Sequence, residues 1–178
     1  MSVEEVSAIS DSLLPVDTVT RFSDSVFDII AQYKNYMADG KCIRPPAIFN
    51  NIRNERQLYA ENIAFYFIDN KLTAINIYHM DVNSSTLSRD DIVRRYGSPR
   101  RYQWKNETND GHTVLELFTG DSGRYIVLQS STQDLGGNIK ITLKHLTFID
   151  RKWIDEKLKN YFEEYDAARN NTAKRLLD

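Results

Sequence analysis

The sequence predicts an α+β fold, an antiparallel sheet of about five strands packed by N- and C-terminal helices, with a short helix between hairpins. Three observations predict it. Apolar residues recur with helical spacing near both ends, at Phe22, Val26, Ile29, Ile30, Tyr33 and Met37 and again at Ile154, Leu158, Tyr161 and Tyr165. Between these stripes lie runs rich in β-branched and aromatic residues. The turns joining the runs are short, which favours antiparallel pairing.

Residues 1 to 16 are rich in Ser, Glu and Asp and hold no sustained period, so they read as a mobile N-terminal arm. Residues 17 to 166 read as a single domain and 167 to 178 as a fraying tail, where the apolar stripe thins to Ala and charge. The first helix is expected over 21–38 and ends at Gly40, which suits the left-handed turn after a helix. Cys42 to Asn62 contains Pro45-Pro46 and then Ile48, Phe49, Ile52 and Leu58, and reads as a connection carrying a short helix.

Ile63–Ile68 and Leu72–Met80 read as a hairpin around Asp69-Asn70-Lys71, because Asp and Asn tolerate the positive φ that tight hairpins need. Ser88, with Asp91 three residues on, opens a short helix over 89–96 that ends at Gly97 with Pro99 beyond. His112–Thr119, Arg124–Ser131 and Asn138–Phe148 complete the strands. In the last, Ile139, Ile141 and Leu143 alternate with Lys140, Thr142 and Lys144, which implies one buried face and another that is wetted at its start. The 151–166 helix, with Trp153 and Phe162 beside its stripe, is the candidate cover.

At 178 residues, with 41% hydrophobic and 27% charged side chains, the chain can bury one real core. No run approaches the roughly 18 apolar residues of a membrane-spanning helix. The acidic start Met-Ser-Val-Glu-Glu-Val is unlike a secretory signal, so the chain as written reads as cytoplasmic, and as exported if a signal has been removed. Lone Cys42 excludes an internal disulfide.

Several motifs have bland readings. Gly120-Asp121-Ser122-Gly123 imitates the segment around a chymotrypsin-type nucleophile, yet it lies between two strands and is read as a turn. His79, His112 and His145 occur singly, without the spacing of a local chelate, so no metal site and no cofactor are expected. A metal site assembled in space from His79, His145 and Cys42 would leave no local trace, and neither would a small-molecule pocket of His79, His145 and nearby Tyr residues, which is the enzymatic alternative. Asp90-Asp91 suits a helix N-terminus, and Glu163-Glu164 a solvated face.

Net charge is −2, unevenly spread. The first thirty residues hold Glu4, Glu5, Asp11, Asp17, Asp24 and Asp28 against Arg21, whereas 89–105 holds Arg89, Arg94, Arg95, Arg100, Arg101 and Lys105 against Asp90 and Asp91. Arg94, Arg95, Arg100, Arg101, Tyr102, Trp104 and Lys105 form the one dense basic-aromatic patch and are the candidate partner-binding residues. Arg beside Tyr and Trp is the composition of protein interface hot spots. The same residues could hold phosphates while rings stack on bases.

Ser88 through Pro99, followed by an aromatic strand at Tyr102 to Trp104 and the hairpin 113–131, resembles the helix, Gly-x-Pro and β-meander module of two small bacterial families, the BamE outer-membrane assembly lipoproteins and the β-lactamase inhibitor proteins. The resemblance spans about residues 86–131. It implies action without catalysis, by presenting a sheet or loops to a protein partner. The chain departs from it by lacking a lipobox and by adding long flanking helices. The sequence is therefore expected to encode a non-enzymatic protein-binding or adaptor protein, with nucleic-acid binding through the same patch as the alternative, no membrane insertion and an unidentified protein as partner.

Overall fold

The computed structural model describes residues 1–8, 14–16, 24–36, 56–60, 63–82, 88–105, 112–134, 136 and 140–175. In chain order the elements are α1 (Val3–Ser7), β1 (Leu14–Val16), α2 (Asp24–Tyr33), β2 (Arg56–Ala60), β3 (Ile63–Ile68), β4 (Lys71–Val82), α3 (Arg89–Tyr96), β5 (Arg100–Lys105), β6 (His112–Phe118), β7 (Arg124–Asp134), β8 (Lys140–Asp150) and α4 (Arg151–Arg175). Among the described residues no helix is long and apolar enough to cross a membrane.

The class is α+β, and the strands form one eight-stranded sheet, ordered β1-β2-β3-β4-β8-β7-β6-β5. Every neighbouring pair is antiparallel. Two four-stranded meanders thus meet at their last strands. The strands beyond the expected five are β1 and β2, each short and without clean alternation, and β5, which contains the aromatic strand at Tyr102 to Trp104 that the resemblance implied. Such strands are held by the pairing partner more than by their own pattern. β2 lies at the end of the 42–62 connection; the short helix expected to start at Pro45-Pro46, and Cys42, fall outside the described residues.

Turn chemistry fixes the hairpins. Asp69 and Asn70 both have positive φ, at 50° and 58°, as a two-residue type I′ loop demands. A register shift between Tyr66 and Phe67 leaves Thr73 as the extra residue of β4, its hydroxyl donating to Lys71 O at 3.0 Å. In the 120–123 segment Asp121 Oδ1 accepts from the backbone N–H groups of Gly123, at 2.8 Å, and Arg124, at 3.0 Å. That side-chain-capped turn is what the sequence indicated.

The sheet carries helices on both faces. On one, Ala64, Tyr66, Ala74, Leu115, Leu117, Tyr125, Val127 and Ile149 meet Val26, Phe27, Ile29 and Ile30 of α2 and Ile154 and Leu158 of α4. Removing each such aliphatic side chain from water is worth about 1.5–3 kcal/mol. On the other face, Phe118, Ile126, Leu128 and Leu146 receive Ile92 of α3. Alternation along each strand separates the two sets.

α2 stops well before Gly40. Asn35 adopts φ 63°, Tyr36 N donates to Ala31 O and Asn35 N to Gln32 O, the paired hydrogen bonds of a Schellman cap with Asn in the glycine's place. The cap turns Tyr36 onto Phe162 of α4, ring on ring at 4.7 Å. At the other terminus α4 runs past the expected end at Asp166 to Arg175.

The described parts of the expected N-terminal arm are structured. Ser2 and Glu5 form a reciprocal capping box on α1, Val6 is 2% exposed against Phe67, and Leu72 N donates to Met1 O at 2.9 Å. The signal was present as Ser2-x-x-Glu5. A five-residue helix shows too little periodicity to register, and only the sheet gives Val6 a partner.

α3 is fastened to its face by charge as well as by Ile92. Arg89 Nε donates to both carboxylate oxygens of Glu116, at 2.9 and 2.8 Å, and Arg89 Nη2 donates to Oε1 at 2.6 Å. Glu116 is 4% exposed, so its carboxylate is costly to leave unpaired. The same hydrogen bond raises the Arg89 pKa above its ordinary value. Arg89→Ala should destabilise the protein by roughly 2–3 kcal/mol in urea unfolding, and most of that loss should vanish in the Arg89→Ala, Glu116→Gln double variant.

Candidate functional site

α3 builds one side of the site. Ser88 Oγ accepts from Asp91 N at 3.4 Å, which starts the helix. The Asp91 carboxylate pairs with Arg94 at 2.8 Å, one turn along. Gly97, at φ 83°, ends the helix and donates to Val93 O, and Ser98-Pro99 leads directly into β5. Arg94 and Arg95 therefore stand in the last turn, close in sequence and space to the start of an edge strand.

β5 divides the remaining patch residues between the two faces. Arg100, Tyr102 and Trp104 pair with Leu117, Leu115 and Thr113, whereas Arg101, Gln103 and Lys105 pair with Glu116, Val114 and His112. The first set is in register with the face under α2 and α4, the second with the face under α3. The expected single patch is thus a rim around the sheet edge. The side chains of Trp104 and Lys105 are outside the described set.

Arg100 caps a chain of contacts through the core. Its guanidinium lies 4.8 Å from the centre of the Tyr33 ring, and Tyr33 meets Tyr125 edge-on at 6.0 Å. Tyr125 donates its hydroxyl to Asp155 at 3.0 Å, Lys34 bonds the other oxygen of that carboxylate at 3.0 Å, and Arg151 lies 4.5 Å from the Tyr125 ring. This chain ties α2, β5, β7 and α4. Burial first, then the hydrogen bond to Asp155, raises the Tyr125 pKa far above the usual phenol value.

Arg101 differs. It is exposed, and among the described residues it makes no hydrogen bond, ion pair or ring contact. Its cross-strand neighbour Glu116 is already held by Arg89. Tyr102 is half-buried and packs on the core beneath α2 and α4. Arg95 lies 5.5 Å from the Tyr96 ring.

Next to this rim, an open cavity of about 330 Å³ is lined by Arg95, Tyr96, Gly120, Asp121 and Arg124. Arg124, 3.9 Å from the Asp121 carboxylate, adds a further cation that the sequence reading did not include. The turn brings it there, since Arg124 directly follows Gly120–Gly123. Gly120 is required for the approach of that turn to α3: a Cβ there would lie 2.7 Å from Tyr96 O. The cavity wall thus combines two guanidinium groups, an aromatic ring and the Asp121 carboxylate.

His145 is paired across the sheet with Tyr78 and His79 with Lys144, so positions 79 and 145 fall on opposite faces. The His145 ring lies edge-on to Tyr78 at 4.9 Å, and burial lowers its pKa. Among the described residues no group of three His, Cys, Asp or Glu is placed to hold a metal ion.

Gly120→Ala should cost about 1–2 kcal/mol, because the backbone of Tyr96 must move to admit the methyl group, and its effect should appear as a lowered urea midpoint. The raised Tyr125 pKa makes that residue's contribution complete below the unfolded phenol value of about 10 and lost as the pH rises past it. The decline of stability between neutral and alkaline pH should therefore be shallower in Tyr125→Phe than in the wild type. Comparison with known proteins gave no matching family model, no curated relative and no matching solved structure.

Proposed function

We propose that this protein is a non-catalytic binding module that engages an acidic protein partner through the rim formed by Arg94, Arg95, Arg100, Arg101 and the edge strand β5. The observation that carries the reading is the state of the guanidinium groups. Arg94 is matched by Asp91 and Arg89 by Glu116, whereas exposed Arg95, Arg100 and Arg101 have no carboxylate within ion-pair reach among the described residues. Uncompensated charges gathered at one corner of a chain of net charge −2 attract a partner of opposite sign and orient its approach. The resemblance over residues 86–131 implies the same mode of action.

The nucleic-acid alternative is supported less well. Tyr102 is half-buried against the core, so it is not a free stacking platform, and the rim is divided between two faces instead of forming one basic groove. Purification from the native cell at low salt, with and without nuclease, tests both. A stoichiometric protein that survives nuclease and is lost from Arg100→Glu, Arg101→Glu is expected. Recovery of nucleic acid, with affinity falling by a log-log slope of about 0.9 per duplex phosphate contact, would replace the reading with the alternative.

A further inference from the structure

We propose that β5 receives an extended acidic peptide segment by strand addition, with two adjacent carboxylates of that segment meeting Arg100 and Arg101. This rests on the binding reading above and specifies the partner's conformation and charge. β5 is the last strand of the sheet and, among the described residues, pairs with β6 alone. Along an antiparallel pair alternate residues direct their N–H and C=O away from the partner, so β5 has an outer edge that no described strand occupies.

The chemistry of this edge selects its occupant. A second copy of the chain fits poorly: antiparallel pairing centred on Tyr102 and Gln103 would oppose Arg100 to Lys105 twice, and parallel pairing in register would set each Arg against itself. Like charges directly opposed across a ladder are destabilising. The phosphodiester backbone of a nucleic acid accepts hydrogen bonds but donates none, so it leaves the outward carbonyls of β5 unmatched. An acidic polypeptide supplies donors, acceptors and the opposite charge.

Register narrows the motif. Arg100 and Arg101 are consecutive residues on opposite faces, and an added strand alternates in the same way. Two neighbouring acids on the partner therefore straddle the edge, one for each guanidinium. Arg101 has no hydrogen bond, ion pair or ring contact among the described residues, and Arg100 uses only the face of its guanidinium, over Tyr33, which leaves its N–H groups to donate. Further along, the partner position on the Tyr102 side meets a half-buried aromatic ring and favours an apolar side chain. Edge charges commonly protect sheets from self-pairing. Here the same charges admit a strand of opposite sign.

The test uses the full-length ¹⁵N-labelled chain and three synthetic peptides of alternating Thr and Val: one with a central Glu-Asp pair, the same peptide N-methylated at alternate backbone nitrogens, and one with Lys-Lys in place of Glu-Asp. Expected are saturable binding of the acidic peptide alone, slowed hydrogen exchange at alternate β5 amides, and a weakening of about tenfold or more for Arg101→Glu. Arg101 is the residue to reverse because no hydrogen bond, ion pair or ring contact of the described fold depends on it. Equal binding of the N-methylated peptide, or no slowing in β5, would overturn strand addition while leaving the charged rim as a binding surface. Absence of acidic-peptide binding would overturn it too, and capture of the native partner by wild type but not Arg100→Glu, Arg101→Glu would then show that the broader reading survives. Binding unaffected by Arg101→Glu would remove the proposed contact altogether.

Discussion

β4 and β8 share nine registered residue pairs, from Ala74 with Ile149 to Val82 with Ile141, and this ladder joins the two meanders into one sheet. Joined, they place Ala64, Tyr66 and Ala74 of the first beside Tyr125, Val127 and Ile149 of the second, on the face that α2 and α4 cover. The ladder closes a long stretch of chain, which is entropically costly. Burial on both faces offsets that cost, and the same burial fixes the register, because a slip of one residue would exchange the two faces.

The register then decides what each charge can do. Glu116 and Arg101 sit opposite one another on β6 and β5, yet Arg89 reaches down from α3 and takes both carboxylate oxygens. Arg101 is left to solvent by that competition. On the other face, Asp155 is engaged by Tyr125 and Lys34, so Arg100 rests on the ring of Tyr33 instead. Glu116 and Asp155 are thus both engaged inside the fold, on the faces to which Arg101 and Arg100 belong. Cations over aromatic faces contribute modestly at exposed sites, about 0.5–1 kcal/mol, and keep their hydrogen-bonding edges free.

Part of this site was legible in the sequence. Density of Arg, Tyr and Trp singled out 94–105, and Ser88, Gly97 and Pro99 bounded the helix preceding it, since capping and termination depend on residues a few positions apart. Tyr125, Ile126, Val127 and Leu128 are buried in succession on both faces, so no alternation there marked which of them each helix covers. The alternation of Tyr102 and Trp104 with Gln103 sets Arg100 on their side and Arg101 on the other once β5 is a strand, but which helices cover the two faces was hidden. The cavity contribution of Arg124 was hidden too, since it depends on the 120–123 turn packing against Tyr96, a contact between segments remote in sequence.

The sequence by itself determined the α+β class, the hairpin at Asp69-Asn70, the turn at Asp121, the limits of α3 and the apolar stripes of α2 and α4. All of these follow from interactions within a few residues, where backbone sterics, capping hydrogen bonds and periodicity act directly. Tertiary structure alone decided that β4 meets β8, that α1 and the short β1 and β2 find places, that α2 ends at Asn35 with Tyr36 against Phe162, and that Arg89 claims Glu116. Each of those outcomes is a choice among distant partners of similar chemistry, and only the shared burial of the assembled sheet ranks them.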